Sequence, residues 1–364
     1  MRRSVIDVLD LTTTEIEELL QVALDIIKNP ADYQEKCKHK KLATLFFEPS
    51  TRTRLSFESA MYELGGNVIG FSDAKNTSTS KGESIADTAK VISCYADIIA
   101  MRHPLEGAPL VAAKNATIPV INAGDGGHCH PTQTLADLLT IYREKGRLDN
   151  FTIGFCGDLK YGRTVHSLIG ALLRYTGIKI VLISPKELKL PYYVENEMKK
   201  SGVEYKTTDS LEEVIGTLDV LYMTRVQQER FNSKEEYERL KDCYILTEDK
   251  MKLAKKDTSI LHPLPRVNEI SVSIDNDERA CYFKQVANGK YVRMALILKL
   301  LSHTEQVESL DYLDRCEMVD STGMVCSNPK CITKVEQELE QKFKIVDKQH
   351  NIHRCVYCDK KLGK

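Results

Sequence analysis

Short apolar runs alternate along this chain with stretches in which apolar residues return every three or four positions, as when strands are interleaved with helices. Residues 42–47 form the first run, and Phe57, Ala60, Met61 and Leu64 follow at helical spacing until Gly65 and Gly66 stop the pattern. Ser50, between them, is the expected N-cap. A strand over 67–72, a helix marked by Ile85, Ala89, Ile92 and Ala96, and strands over 98–101 and 118–123 continue the alternation. A helix starting near Thr132 carries Leu135, Leu138, Leu139 and Tyr142 on one side and ends before Gly146. Strands over 152–156, 179–184 and 219–224 follow, and a last helix over 288–301 has Tyr291, Ala295, Leu298 and Leu301 among its apolar positions. The pattern predicts an α/β chain with two sheet-and-helix layer structures and no internal sequence repeat. Ligands are expected between the halves, at the carboxyl ends of the strands.

A length of 364 residues can bury two cores and leave room for a small appendage. The formal net charge of −1 gives no general attraction to nucleic acid or to an anionic membrane, so any anionic ligand must be held by local arginines. No apolar run approaches a membrane span, and Met1-Arg2-Arg3 leads on without a signal-peptide core; a cytoplasmic protein is expected.

The cysteines divide unevenly. Cys37, Cys94, Cys129, Cys156, Cys243 and Cys281 stand singly, as reduced thiols do in an intracellular enzyme, and most read as small buried hydrophobes. Cys326 with Cys331 and Cys355 with Cys358 form C-x4-C and C-x2-C pairs, the pattern of two knuckles gripping one tetrahedral ion. Zinc is the expected ion, one per chain. Four thiolates leave no position open for water, so its role is structural.

The densest chemistry lies in residues 47–54, Phe-Glu-Pro-Ser-Thr-Arg-Thr-Arg, which put two guanidiniums and three hydroxyls at the start of a helix. Unpaired backbone N–H groups and the partial positive charge of a first turn suit a phosphate there, and Arg52 adds a bidentate clamp. Ser50 has no base in its motif and reads as cap and phosphate ligand rather than nucleophile.

Five further segments follow: Met101-Arg102-His103-Pro104, His130-Pro131-Thr132-Gln133, Gly157-Asp158-Leu159-Lys160-Tyr161-Gly162-Arg163, Met223-Thr224-Arg225-Val226-Gln227 and His262-Pro263-Leu264-Pro265. In this order the set resembles the catalytic chain of the aspartate carbamoyltransferase family, over roughly the first three hundred residues. The resemblance implies two doubly wound parallel-sheet domains with a cleft between them and a small zinc-ribbon-like β tail. Residues 1–131, completed by a returning helix over 288–304, would bind carbamoyl phosphate; 132–287 would bind aspartate; 305–364 would form the tail. The implied reaction converts carbamoyl phosphate and L-aspartate to N-carbamoyl-L-aspartate and phosphate, in de novo pyrimidine biosynthesis, without an organic cofactor.

By the same resemblance, Ser50, Thr51, Arg52 and Thr53 match phosphate ligands, and Thr53, Arg102 and His130 match the groups that polarise the carbonyl. Gln133, with the backbone carbonyls of Pro263 and Leu264 ahead of Pro265, matches the groups that position the carbamoyl amine. Arg163, Arg225 and Gln227 match the residues that hold the two carboxylates of aspartate, a task suited to bidentate pairing. Ser78 and Lys81 match loop residues lent to a neighbouring subunit's site, Lys81 toward aspartate. Such a loan implies a homotrimer or an assembly of trimers. The Leu264-Pro265 bond is expected to be cis, because two prolines bracket a backbone that must aim its carbonyls at substrate.

The loop over 75–82 departs from the family pattern: Thr79-Ser80 between Ser78 and Lys81 makes it one residue shorter, with one lysine in place of two adjacent ones. Ornithine carbamoyltransferases share the phosphate motif, but His262-Pro263-Leu264-Pro265 lacks their cysteine, no Ser-Met-Gly acceptor motif is present, and a cationic acceptor would meet Arg225. His103 reads as a strand-end turn. His128 and Cys129 lack an evident fourth ligand for a second metal. The tail's spacing is similar to the zinc domain of the family's separate regulatory chain. Glu336, Glu338 and Glu340 among its lysines argue against nucleic acid and leave protein contact. The tail is too short for a further nucleotide-binding domain, so ATP and CTP are not expected to act through this chain.

Overall fold

A computed structural model of the chain describes residues 2–73, 81–226, 234–240, 242–303, 316–319, 323–336, 338–348 and 350–362. It divides into two compact units, Met1–Thr132 with Lys290–Lys364, and Gln133–Gly289. No helix among the described residues is long and apolar enough to cross a membrane.

The first unit opens with α1 (Thr13–Lys28), which starts in a capping box between Thr12 and Glu15 and buries Ile16, Leu19, Leu20, Ala23 and Ile26. Then follow β1 (Lys41–Phe46), α2 (Thr51–Glu63), β2 (Asn67–Phe71), α3 (Ile85–Ser93), β3 (Ile98–His103), α4 (Ala108–Asn115) and β4 (Val120–Asp125). The strands form one parallel sheet in the order β2-β1-β3-β4. Register pairs Phe46 with Arg102 and His103 with Asp125, so the carboxyl ends of three strands finish along one edge.

The second unit comprises most of α5 (Pro131–Lys145), then β5 (Thr152–Cys156), α6 (Arg163–Leu172), β6 (Lys179–Ile183), α7 (Tyr192–Ser201), β7 (Glu204–Thr208), β8 (Val220–Met223), α8 (Lys234–Leu240), α9 (Glu248–Leu253), β9 (Ser259–Leu261) and the first part of α10 (Tyr282–Ser302). Its sheet is parallel throughout, in the order β7-β6-β5-β8-β9. Gly157, directly after β5, has φ +117°, and a Cβ there would lie 2.4 Å from the Thr224 carbonyl; only glycine lets these two strand ends close up. The last helix begins at Tyr282, earlier than its apolar spacing suggested, because Lys284, Asn288 and Gly289 interrupt the apolar pattern of its first turns.

The tail adds a small antiparallel sheet, β10 (Met318–Val319), β11 (Phe343–Asp347) and β12 (Ile352–Cys355). It packs into the first unit. Ile332, Phe343, Val356 and Tyr357 share a buried cluster with Ile99, Met101, Ala108 and Val111. Glu106 donates its N–H to the Lys330 carbonyl at 2.8 Å and accepts the Ile332 N–H at 3.0 Å. Gly107 lies against Tyr357 at φ +89°, where an added Cβ would stand 2.6 Å from the tyrosine Cβ.

Candidate active site

In the first unit the phosphate motif folds as the sequence suggests, with one difference in chemistry. Ser50 is the N-cap residue of α2, but its side chain makes no capping hydrogen bond. Thr51 and Arg52 are exposed, and Ser50 and Thr53 are half-buried. Arg54 is not part of an anion clamp: its Nε donates to Glu58 Oε1 at 2.7 Å, and the same oxygen accepts from Thr44 Oγ1 at 3.0 Å. The i,i+4 pairing turns this guanidinium back along its own helix.

Arg102, at the end of β3, is largely buried, with Nη2 3.4 Å from Glu48 Oε2 and Nη1 donating to the Ala123 carbonyl at 3.4 Å. Its Nε has no hydrogen-bond partner among the described residues. Burial depresses its pKa below the ordinary arginine value, Glu48 opposes that, and the positive charge of Arg52 adds to it. A guanidinium at the end of β3 and another in the first turn of α2, each disfavouring the other's charge, make a site where an anion relieves the repulsion. His130 is buried between β4 and α5, immediately before Pro131.

The loop that delivers His130 is organised by Asp125. Its Oδ1 accepts from Asn122 Nδ2 at 3.0 Å and the Cys129 N–H at 2.9 Å; its Oδ2 accepts the Gly107 N–H and meets His128 Nδ1, both at 2.9 Å. Asp125, His128 and Cys129 are close enough to suggest a metal cluster, and Cys129 Sγ donates to Asp7 Oδ2 at 2.9 Å. Four donors already occupy the Asp125 carboxylate, so the arrangement is a hydrogen-bond network. Burial alone would lower the His128 pKa, but the Asp125 charge and hydrogen bond, with Asp359 and Asp7, push it up to about 9. His103 is buried, its Nδ1 accepts the Leu105 N–H at 3.0 Å, and burial takes its pKa down to about 4; it is a strand-end turn.

In the second unit, Arg163 opens α6 behind Gly162 and Arg225 follows β8; both are half-buried. Asp158, fully buried, shapes the approach to α6 by accepting the Tyr161 N–H at 2.9 Å. His262-Pro263-Leu264-Pro265 leaves the end of β9, and the Leu264-Pro265 bond is cis as expected. The turn is pinned from behind: His262 Nδ1 accepts the Leu264 N–H at 2.8 Å and Nε2 donates to Glu269 Oε1 at 2.7 Å. Burial alone would raise the Glu269 carboxyl, but the His262 hydrogen bond and charge hold it below its usual value. Gln133 donates Nε2–H to Asp137 Oδ1 at 2.7 Å. Lys81 is exposed. Ser78 and Gln227 lie outside the described residues.

Cys326, Cys331, Cys355 and Cys358 are all buried, and their sulfurs lie within 4.8 Å of one another. Sγ separations of 3.5 Å for Cys326–Cys358 and 3.8 Å for Cys331–Cys355 match the edge of a tetrahedron with metal–sulfur bonds of about 2.3 Å. The four thiols hydrogen-bond one another, which holds Cys331 below the usual thiol range and pushes Cys355 and Cys358 above it; binding a metal requires all four to give up their protons. Of the single cysteines, Cys37, Cys129, Cys156 and Cys281 are buried, Cys243 is half-buried and Cys94 is exposed, all unpaired by disulfides.

Three family models match in succession: the aspartate/ornithine carbamoyltransferase carbamoyl-P binding domain over residues 3–143, the aspartate/ornithine carbamoyltransferase Asp/Orn binding domain over 149–300, and the aspartate carbamoyltransferase regulatory chain metal binding domain over 318–364. The chain is 64% identical over 300 residues to the aspartate carbamoyltransferase catalytic subunit of Clostridium acetobutylicum, covering 82% of this chain and 98% of that one. The chain belongs to the aspartate carbamoyltransferase family. The Lachnoclostridium phytofermentans catalytic subunit is 62% identical over 305 residues, with 84% and 99% covered. Among solved structures, the catalytic subunit of M. jannaschii aspartate transcarbamoylase matches with a TM-score of 0.78 at 45% identity, covering 84% of this chain and all of that one. The Trypanosoma cruzi enzyme in complex with carbamoyl phosphate and aspartate matches with a TM-score of 0.76 at 37% identity, covering 81% and 96%.

For an aspartate carbamoyltransferase, the sequence motifs name the candidate ligand groups and miss the residues that hydrogen-bond to them. Asp137 could have been found, since it stands four residues after Gln133 on one helix face. Glu48 adjoins the phosphate motif but gave no sign that it meets Arg102. Glu269 and Gln285, which brace the His262 turn, had no local signal. The same holds for Glu106, whose Oε1 accepts the Gly127 N–H at 3.0 Å and whose Oε2 accepts from Asn328 Nδ2 at 2.6 Å.

Proposed function

We propose that the chain transfers the carbamoyl group of carbamoyl phosphate to the amine of L-aspartate through the residues its motifs name. Ser50, Thr51, Arg52 and Thr53 bind the phosphate. The aspartate nitrogen attacks the carbonyl carbon, placing negative charge on its oxygen, where Thr53, Arg102 and His130 donate. Gln133 and the carbonyls of Pro263 and Leu264 hold the carbamoyl NH2. The carbon–oxygen bond to phosphate then breaks, a proton passes from the aspartate nitrogen to the departing phosphate, and N-carbamoyl-L-aspartate is left. Arg163, Arg225 and Gln227 hold the two carboxylates of the acceptor, which decides for aspartate over a cationic amino acid.

The observation that carries this reading is the placing of Arg102, partly buried at the carboxyl end of β3 where Phe46 of β1 pairs with it, just before the Ser50 to Thr53 turn that opens α2. The test is an acceptor screen with carbamoyl phosphate that follows phosphate release. Aspartate-dependent release is expected; release with ornithine, or with no amino acid preferred, would reject it.

An assembly that shares sites, a homotrimer or a set of trimers, is supported by the exposed Leu55 and Tyr62 on the outer face of α2 and by the exposed Lys81. Mixing inactive Lys81→Ala with inactive Arg52→Ala protomers is expected to restore part of the activity. A cytoplasmic location is supported by the unpaired cysteines.

A further inference from the structure

Asp137 is completely buried on α5 and accepts hydrogen bonds from Gln133, Gln285 and Tyr222. Its Oδ1 takes Nε2–H of Gln133 at 2.7 Å and Nε2–H of Gln285 at 2.5 Å, and its Oδ2 takes the Tyr222 hydroxyl at 3.0 Å. An ionised carboxylate can only accept, whereas a glutamine amide can face a neighbour with either end. Asp137 therefore removes the choice. It draws the NH2 end of the Gln133 amide inward and turns Oε1, which can only accept, away from itself.

Resting on the reading of function above, we propose that Asp137 is a positioning residue that sets Gln133 to present an acceptor to the carbamoyl NH2. The site thereby distinguishes that NH2 from a methyl group of the same size. A Gln133 amide turned the other way would oppose a donor to a donor. The same carboxylate reaches the second set of acceptors. Gln285, held by Asp137, accepts the His262 N–H through Oε1 at 3.0 Å, and His262 in turn accepts the Leu264 N–H at 2.8 Å. One buried carboxylate group thus orients both the side-chain acceptor and the turn that supplies backbone acceptors.

Acetyl phosphate is the probe, because it replaces the carbamoyl NH2 with CH3 and keeps the phosphate and carbonyl. Dissociation constants of carbamoyl phosphate and acetyl phosphate are measured by calorimetry, without aspartate, for the full chain and for Asp137→Ala and Asp137→Asn. Asp137→Ala is expected to weaken carbamoyl phosphate roughly tenfold to a hundredfold while leaving acetyl phosphate within about twofold, the size of effect expected when a buried donor or acceptor is mispaired. Asp137→Asn, whose amide can turn either end toward Gln133, should keep only part of the discrimination, between wild type and Asp137→Ala. Equal weakening of both ligands in Asp137→Ala, or unchanged discrimination, would overturn the proposal.

Should Asp137→Ala not fold, the wild-type protein supplies the same test by nuclear magnetic resonance. The side-chain amide protons of Gln133, assigned by their loss in Gln133→Met, should show a downfield, slowly exchanging N–H that persists when carbamoyl phosphate binds. An amide that gives its N–H to the ligand instead would refute the orientation. A wild-type protein that forms no N-carbamoyl-L-aspartate would remove the reading of function. One that forms it, while Asp137→Ala treats both phosphates alike, would remove this inference alone.

Discussion

Replacing Gly107 by alanine should loosen the zinc-binding tail from its seat. Gly107 caps α4 at φ +89°, and its N–H donates to Asp125 Oδ2 at 2.9 Å. A side chain in that left-handed conformation costs about 1–2 kcal/mol. The added Cβ would also lie 2.6 Å from Tyr357 Cβ and 2.8 Å from the Tyr357 carbonyl oxygen. Backbone cannot swing aside as a side-chain tip can, so relieving the overlap means moving the tail, at about 1–3 kcal/mol. The first contribution weakens the first unit generally; the second falls on docking. The docking contribution alone is a factor of roughly five to a hundred and fifty in the opening equilibrium of the tail. Hydrogen exchange read by mass spectrometry separates the two, because the Glu106 and Ile332 N–H groups are bonded across the seat. Peptides containing them should exchange at least about fivefold faster than in the wild type, beyond any change in β1 or β3. Wild-type exchange at both positions would show that the close packing against Tyr357 does not hold the tail.

Arg52→Ala should lose about a hundredfold or more in kcat/KM, whereas Arg225→Ala should act chiefly through aspartate; near-normal turnover in Arg52→Ala would sink the phosphate assignment. Because the His128 pKa is raised from 6.5 to about 9, its stabilisation is complete below about pH 6.5 and is lost as pH rises through about 9. The loss is about 3 kcal/mol, and thermal melts from pH 6 to 10 should show it in the wild type but not in His128→Gln; parallel slopes would contradict it. Removing zinc with a chelator should expose amides of β11 and β12 and uncover the apolar seat of Ile332 and Tyr357, read as increased binding of an apolar dye; a tail equally protected without metal would rule out a structural role for zinc.

What sequence makes legible follows from how local the cause is. The strands β1 and β5 and the helices α2 and α5 were readable because short apolar runs or three-to-four spacing generate them directly. Helix α4 was not read, because Ala108 to Ala113 are all buried and an apolar stretch without a polar face has no period. Strand β7 was missed for the opposite reason: it is an edge strand whose residues are exposed or half-buried, so it lacks an apolar run. The candidate site residues sit in compact motifs, several of them at or just after strand ends, as with Arg102 in β3 and Arg225 after β8. Their supports are distant in sequence. Glu106 meets Asn328 across 222 positions and Asp137 meets Gln285 across 148, and no spacing rule reaches that far.

The seating of the tail on the unit at the other end of the same polypeptide makes its docking a unimolecular equilibrium. A module on a separate chain would be lost on dilution below its dissociation constant. A tethered one experiences a local concentration set by the connecting chain and independent of dilution. Each catalytic chain therefore carries one zinc module regardless of protein concentration, and the fraction seated depends on zinc, pH and the contacts at Glu106 and Gly107 rather than on the supply of a partner. A sample diluted a thousandfold for an assay should hold its tail as firmly as one concentrated for crystallisation.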